Sequence, residues 1–181
     1  MHRWRLFLLP LLLAAIASPS LVGGQDPPAC PSLALARLAS TRGTWTVQWL
    51  HRVAPEQYAT SEARSSIEAT SQGCGLLERF AGVRAGRAFE ALTLIAPAGG
   101  DSLHRVWQDS EHGGLLLFTA DARASPLRFE WSRDLGDRVL RVRTTYRALT
   151  AAGFTTETEL SPDGGRTWQL VARQEYRRSG S

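Results

Sequence analysis

From Thr41 onward the apolar and polar residues alternate with a period of two, and clusters of Gly, Pro, Asp and Ser separate the runs. The pattern predicts strands over 43–51, 57–71, 75–82, 87–96, 102–109, 114–121, 126–133, 138–149, 153–161 and 166–177. The intervening stretches, such as "PAGGD", "SEHGG", "RDLGD" and "SPDGG", are too short for the crossovers that parallel strands require, so consecutive antiparallel hairpins are expected. Before Thr41 the spacing of Leu33, Leu35 and Leu38 predicts a short helix through "LALARLAS", capped by Ser32.

Alternation also assigns faces. Phe154, Thr156, Thr158 and Leu160 share one side of their strand, with Thr155, Glu157 and Glu159 on the other. In the preceding strand Arg141, Arg143 and Arg147 oppose Leu140, Val142 and Tyr146, so rows of arginine and carboxylate are expected to meet on the outside. Leu127, Phe129 and Trp131 face inward, as do Trp168, Leu170, Ala172 and Tyr176. One wet face and one apolar face over about ten meandering strands describe an all-β, antiparallel up-and-down barrel or, failing that, a sandwich.

The N-terminus follows other rules. His2, Arg3 and Arg5 precede an apolar run from Leu6 to Ala17 and the small-residue tract "SPSLVGGQ", the layout of a secretory signal peptide over 1–24 cleaved after Ala17 or Gly24. The run is about a dozen residues where a bilayer needs about twenty, so no integral membrane span is expected after cleavage. Residues 25–42 form a Pro-rich lead-in with the short helix, and 43–178 form one barrel domain. The protein is therefore expected to be exported, either periplasmic or secreted.

Charge and cysteines narrow the chemistry. Every basic residue is Arg, and without Arg3 and Arg5 there remain 19 against 17 acidic residues. Such a small surplus gives no support to nucleic-acid binding, and the absence of lysine excludes Schiff-base and Ser-Lys chemistry. Cys30 and Cys74 are the only cysteines, and export places them where a disulfide persists, contributing on the order of 4 kcal/mol.

Gly43 and Trp45 open the first strand directly after the helix. This Gly-x-Trp arrangement resembles the start of the lipocalin and fatty-acid-binding-like barrels, in which the tryptophan packs over the closed end. With "LASTRGTW" at 38–45, "SLHRVWQDSE" at 102–111 and "LSPDGGRTWQLVARQEYRR" at 160–178, the chain resembles the bacterial domain-of-unknown-function family 1579. The resemblance implies a lipocalin-like or nitrobindin-like calycin barrel and carries over no catalytic residues. It departs at "VAPEQYATSEARSSIEATSQ", where an Ala- and Ser-rich stretch replaces a bulky, glycine-rich one and implies a roomier or shallower interior.

Nitrobindin-type barrels hold haem through a histidine, so His104 is weighed for that role. It shares a side with Val106 and Gln108, opposite Arg105, Trp107 and Asp109, and is read as a surface residue. No cofactor is assigned. A buried Arg105 needs a carboxylate or an anionic ligand, and three readings stand: pairing with Asp109 or Glu111, exposure, or a clamp on a ligand carboxylate. "SPDGGRTW", Ser161 to Trp168, fits the Asp-box pattern and is read as a hairpin device. No zinc spacing, nucleophile elbow or phosphate loop is present in the sequence, so no catalytic or metal-binding residues are assigned.

The functional expectation is non-catalytic binding of a small apolar or amphipathic molecule, with Trp45, Trp49, Arg105, Trp107, Phe129, Trp131 and Tyr146 as candidate ligand-binding residues. The alternatives are a filled barrel acting as an interaction or envelope-structural module, and a haem-binding or small-molecule enzyme using His104, Arg105 and Asp109. The sequence sets no oligomeric state or partner protein.

Overall fold

The computed structural model describes residues 33–180; the expected signal peptide, the Ser32 cap and Cys30 of the expected disulfide lie outside the described residues. A four-residue helix α1 (Leu33–Ala36) and a single 3₁₀ turn (Ala39–Thr41) lead into ten strands. These are β1 (Gly43–Ala54), β2 (Gln57–Thr70), β3 (Gly75–Arg84), β4 (Arg87–Gly99), β5 (Ser102–Asp109), β6 (Leu116–Asp121), β7 (Leu127–Asp134), β8 (Val139–Arg147), β9 (Gly153–Ser161) and β10 (Gln169–Arg178). Each pairs antiparallel with its sequence neighbours, and β10 returns to β1 to close the barrel. All ten predicted strands are present, and closure decides for the barrel over the sandwich.

The helix is shorter than its leucine spacing predicts. Leu35 and Leu38 are buried, while Leu33 is 91% exposed. Among the described residues no helix is long and apolar enough to cross a membrane.

The faces follow alternation. Trp45, Val47 and Trp49 of β1, Phe80 of β3, Phe89 of β4, Leu127 and Phe129 of β7 and Phe154 of β9 fill the interior. Outside, Arg143 grips Glu159 through Nε and Nη2 at 2.7 and 3.0 Å, and Glu157 bridges Arg147 and Arg173, each at 2.8 Å. Burial would push the Glu157 carboxyl up, but its two arginines hold it below its ordinary value.

The hairpins β1–β2, β3–β4, β5–β6, β7–β8 and β9–β10 gather at one end, and α1 covers the other. Arg37 donates to the carbonyls of Ala122 and Ala124 in the β6–β7 connection, which ties the helix across that end. Trp45 donates its indole N–H to the Thr41 carbonyl at 2.8 Å. The Arg178 guanidinium lies over the Trp45 ring at 4.1 Å and donates to the Arg42 carbonyl at 2.6 Å. Gly43, at φ +130°, makes room for it, since a Cβ there would run into Arg178 Nη1. The Gly-x-Trp pair is therefore the lid of the closed end.

One predicted face is corrected. The β10 register slips between Leu170 and Ala172, so Leu170 pairs with Glu159 while Ala172 pairs with Thr158. This β-bulge at Val171 inverts the alternation toward the mouth. Ala172 and Tyr176 stay inside, but Leu170 faces out, and Trp168 lies against outer-face Arg143 at 3.9 Å. The Asp-box acts as a turn, as expected. Asp163 Oδ1 accepts from Arg166 N and Thr167 N at 3.0 and 2.9 Å, and Gly164 and Gly165 take positive φ.

Candidate functional site

Away from the helix, the barrel holds a cavity of about 360 Å³ that opens between the hairpins. That is the low end of the range for small-molecule pockets and room for about a dozen waters. β1 contributes Trp49 and His51, β4 contributes Phe89, β5 contributes Arg105, Trp107 and Asp109, and β6 contributes Leu116 and Phe118. The opposite wall, from β8 to β10, is milder and includes Val142, Thr144, Thr158, Leu160, Ala172 and Gln174.

Arg105 is 6% exposed, and its strand parity sets it inside between Leu103 and Trp107. Its guanidinium lies 4.9 Å from the Trp107 ring and 5.1 Å from the Phe118 ring. The candidate carboxylates are engaged elsewhere. Asp109 accepts from Trp107 Nε1 at 3.0 Å and from the backbone N–H groups of Glu111 and His112 at 2.9 and 2.7 Å. Its oxygens also lie 3.0 Å from His112 Nδ1. Glu111 pairs with Arg84 at 2.5 Å. Neither pairing nor exposure thus describes Arg105: among the described residues no carboxylate forms an ion pair with it, and its Nε is buried without a partner.

Burial would push the Asp109 carboxyl up, yet the hydrogen bonds from Trp107, His112 and Glu111 hold it below its ordinary value. It is thereby fixed as an acceptor that orients the Trp107 ring beside the arginine. On its inner side Arg105 is hydrogen-bonded to Tyr146, whose phenol burial raises to about 12, with the charge and the hydrogen bond of the arginine opposing. Deeper still, Glu78 accepts from Ser65 Oγ and Tyr176 Oη, both at 2.8 Å.

His51 is 2% exposed and packs on Trp49 with ring centroids 4.4 Å apart. Neither of its ring nitrogens has a side-chain partner, and Trp49 Nε1 is also buried and unpartnered. Burial lowers the His51 pKa and Arg84 adds to the effect, while a hydrogen bond with the Trp49 backbone opposes it. Three of the residues with buried unpartnered polar atoms therefore line one cavity. Two exterior hollows of about 590 Å³ each have no such residue among their linings, and a third of about 380 Å³ has one, Ser61.

Of the predicted site residues, Trp49, Arg105 and Trp107 line the cavity. Trp45, Phe129 and Tyr146 are packed in the core, and Trp131 is half-buried against it. His104 lies on the outer face of β5, so neither interior haem ligation nor an acid–base set with Arg105 and Asp109 can use it. His51 and Glu78 are not among the predicted residues, although alternation places them inside: His51 continues Trp45, Val47, Trp49, and Glu78 stands between Leu76 and Phe80. Among the described residues no group of His, Cys, Asp and Glu is placed to hold a metal ion.

The fold and cavity define the chain as a closed ten-strand antiparallel barrel with a polar-floored interior hollow. No family model matches the chain, and no curated protein is similar to it at a significant level.

Proposed function

We propose that this protein is an exported lipocalin-like barrel that binds a small, mainly apolar molecule without transforming it, the acidic group of that molecule resting on Arg105. The observation that carries the proposal is Arg105 itself: a cation buried in the cavity, with no carboxylate partner and an unpartnered Nε. A guanidinium in that setting is costly to bury unless an anion offsets the lost hydration. The Trp107 and Phe118 rings lie against the guanidinium and the Tyr146 hydroxyl is hydrogen-bonded to it, so none of these neighbours supplies the negative charge that a ligand carboxylate would. The leader sequence and the resemblance to the 1579 family support export and calycin kinship. The Cys30–Cys74 bridge belongs to the same proposal, and finding two free thiols by non-reducing mass spectrometry would count against it.

The test is native mass spectrometry of the mature protein from its own host's extracytoplasmic fraction, before and after denaturation. A mass excess that denaturation removes, and that Arg105→Gln diminishes, is expected. No excess, together with no binding in a screen of organic acids, would overturn the proposal.

One observation favours a second reading, a surface that docks a partner. Leu77, Leu94, Val106 and Leu117 are successive cross-strand partners over β3 to β6 on the outer face. Leu94 and Leu117 in this row are 39% and 50% exposed.

A further inference from the structure

Resting on that proposal, we infer that Gln174 is a second binding residue for the ligand's acid, donating its side-chain amide to the carboxylate from the wall opposite Arg105. The inference starts from where the cavity lining stops. On β5 the lining ends at Arg105, and the next inward-facing residue toward the helix, Leu103, is fully buried. On β8, β9 and β10 it ends at Thr144, Thr158 and Gln174, beyond which Tyr146, Thr156 and Tyr176 are buried. Arg105 and Gln174 thus stand at one floor, on strands that face each other across the ten-strand barrel. They are also linked around its wall. Arg105 is hydrogen-bonded to Tyr146, Tyr146 pairs with Thr156, and Thr156 pairs with Gln174.

One hydrogen bond decides which end of the Gln174 amide meets the cavity. Thr156 donates its hydroxyl to Gln174 Oε1 at 2.8 Å, so the carbonyl end is held against the wall and the NH₂ end is what the residue presents. Gln174 Nε2 makes no hydrogen bond among the described residues, and packing does not seal it off. An amide NH₂ donates and does not accept, and the same is true of a guanidinium. Both walls of the floor therefore offer donors. Water would satisfy Gln174 but would leave the Arg105 charge unopposed. A carboxylate accepts at both of its oxygens and carries the opposite charge, so it answers the two residues together.

The experiment measures decanoate and decanol binding to the full mature protein by calorimetry. Gln174→Leu is expected to weaken decanoate by about fivefold or more while leaving decanol within about twofold, because only the acid uses the lost donor. Gln174→Glu sets a carboxylate where the acid should lie, and is expected to weaken decanoate by about tenfold or more. In the unmodified protein, decanoate but not decanol should move the Gln174 side-chain amide protons downfield in a ¹⁵N–¹H spectrum, a readout that needs no variant to fold. Equal weakening of acid and alcohol in Gln174→Leu would make the residue a shaper of the cavity and overturn the inference. Decanoate affinity unchanged in Gln174→Leu but lost in Arg105→Gln, or amide protons that decanoate leaves unmoved, would also overturn it and leave the acid-binding barrel standing. If decanoate does not bind, or binds Arg105→Gln equally well, the inference falls together with the proposal on which it rests.

Discussion

The Arg105 guanidinium stands 4.9 Å from the ring of Trp107, whose indole N–H is itself held by Asp109 at 3.0 Å. The ring is therefore fixed in place while the cation it covers has no carboxylate of its own. An anion of the kind proposed above would supply the missing negative charge.

Replacing Arg105 by Met is expected to stabilise the empty protein by about 1 kcal/mol, since relief of a buried charge without a carboxylate outweighs the lost hydrogen bond to Tyr146. Acid binding should be lost in the same variant. Urea unfolding at neutral pH, with and without decanoate, measures both effects. A large loss of stability in the empty state would mean that Arg105 is a structural brace.

The closed end makes a separate prediction. Gly43→Ala forces a side chain into a left-handed backbone and against Arg178 Nη1, and is expected to cost about 1–3 kcal/mol. Arg178→Ala removes the cover over Trp45 and the donors to the Arg42 and Ala151 carbonyls, for about 1 kcal/mol. Because Arg178 contacts the glycine site, the two costs should be less than additive in the double variant, measured by denaturant melts.

His51 sets a pH window. Its folded pKa lies below the ordinary value of 6.5, so the unfolded chain takes up the proton first. Its contribution is therefore neutral above about pH 6.5 and destabilising below it, growing until the folded-state pKa is reached. Stability should fall as the pH drops below about 6.5, and His51→Leu should flatten that slope. The carboxylates held low, Asp109 and Glu157, add their losses only at more acid pH, below their ordinary values of 3.8 and 4.5. An unchanged slope in His51→Leu would show that the ring is not buried neutral.

The β9–β10 turn should matter to folding and not to binding. Hydrogen bonds from Thr167, Ser161 and the Arg166 amide hold the Asp163 carboxyl well below the usual carboxylate range. Asp163→Ala is expected to lower Tm while leaving acid affinity within about twofold, because the turn lies outside the cavity lining. A large loss of affinity would instead tie this turn to the mouth.

The ten strands, their order, the helix at one end, the arginine and carboxylate rows and the Asp-box turn were all legible in the chain. Period-two alternation and turn chemistry are local, and a meander of short hairpins leaves few ways to pair. The same alternation put Arg105 and His104 on opposite faces but left open whether Arg105 was buried or exposed. Tertiary structure decided what depends on distance across the barrel. Alternation gives the side on which a residue stands but not its depth, so Trp45 and Tyr146 could not be told from Trp49 and Trp107, which line the cavity. It also cannot register an extra residue, and the bulge at Val171 sent Trp168 and Leu170 outward. That Arg105 lacks a carboxylate while Asp109 serves Trp107 and Glu111 serves Arg84 is a matter of which side chains meet in three dimensions. The burial of the His51 and Trp49 nitrogens likewise depends on packing across the closed barrel, which the linear pattern does not record.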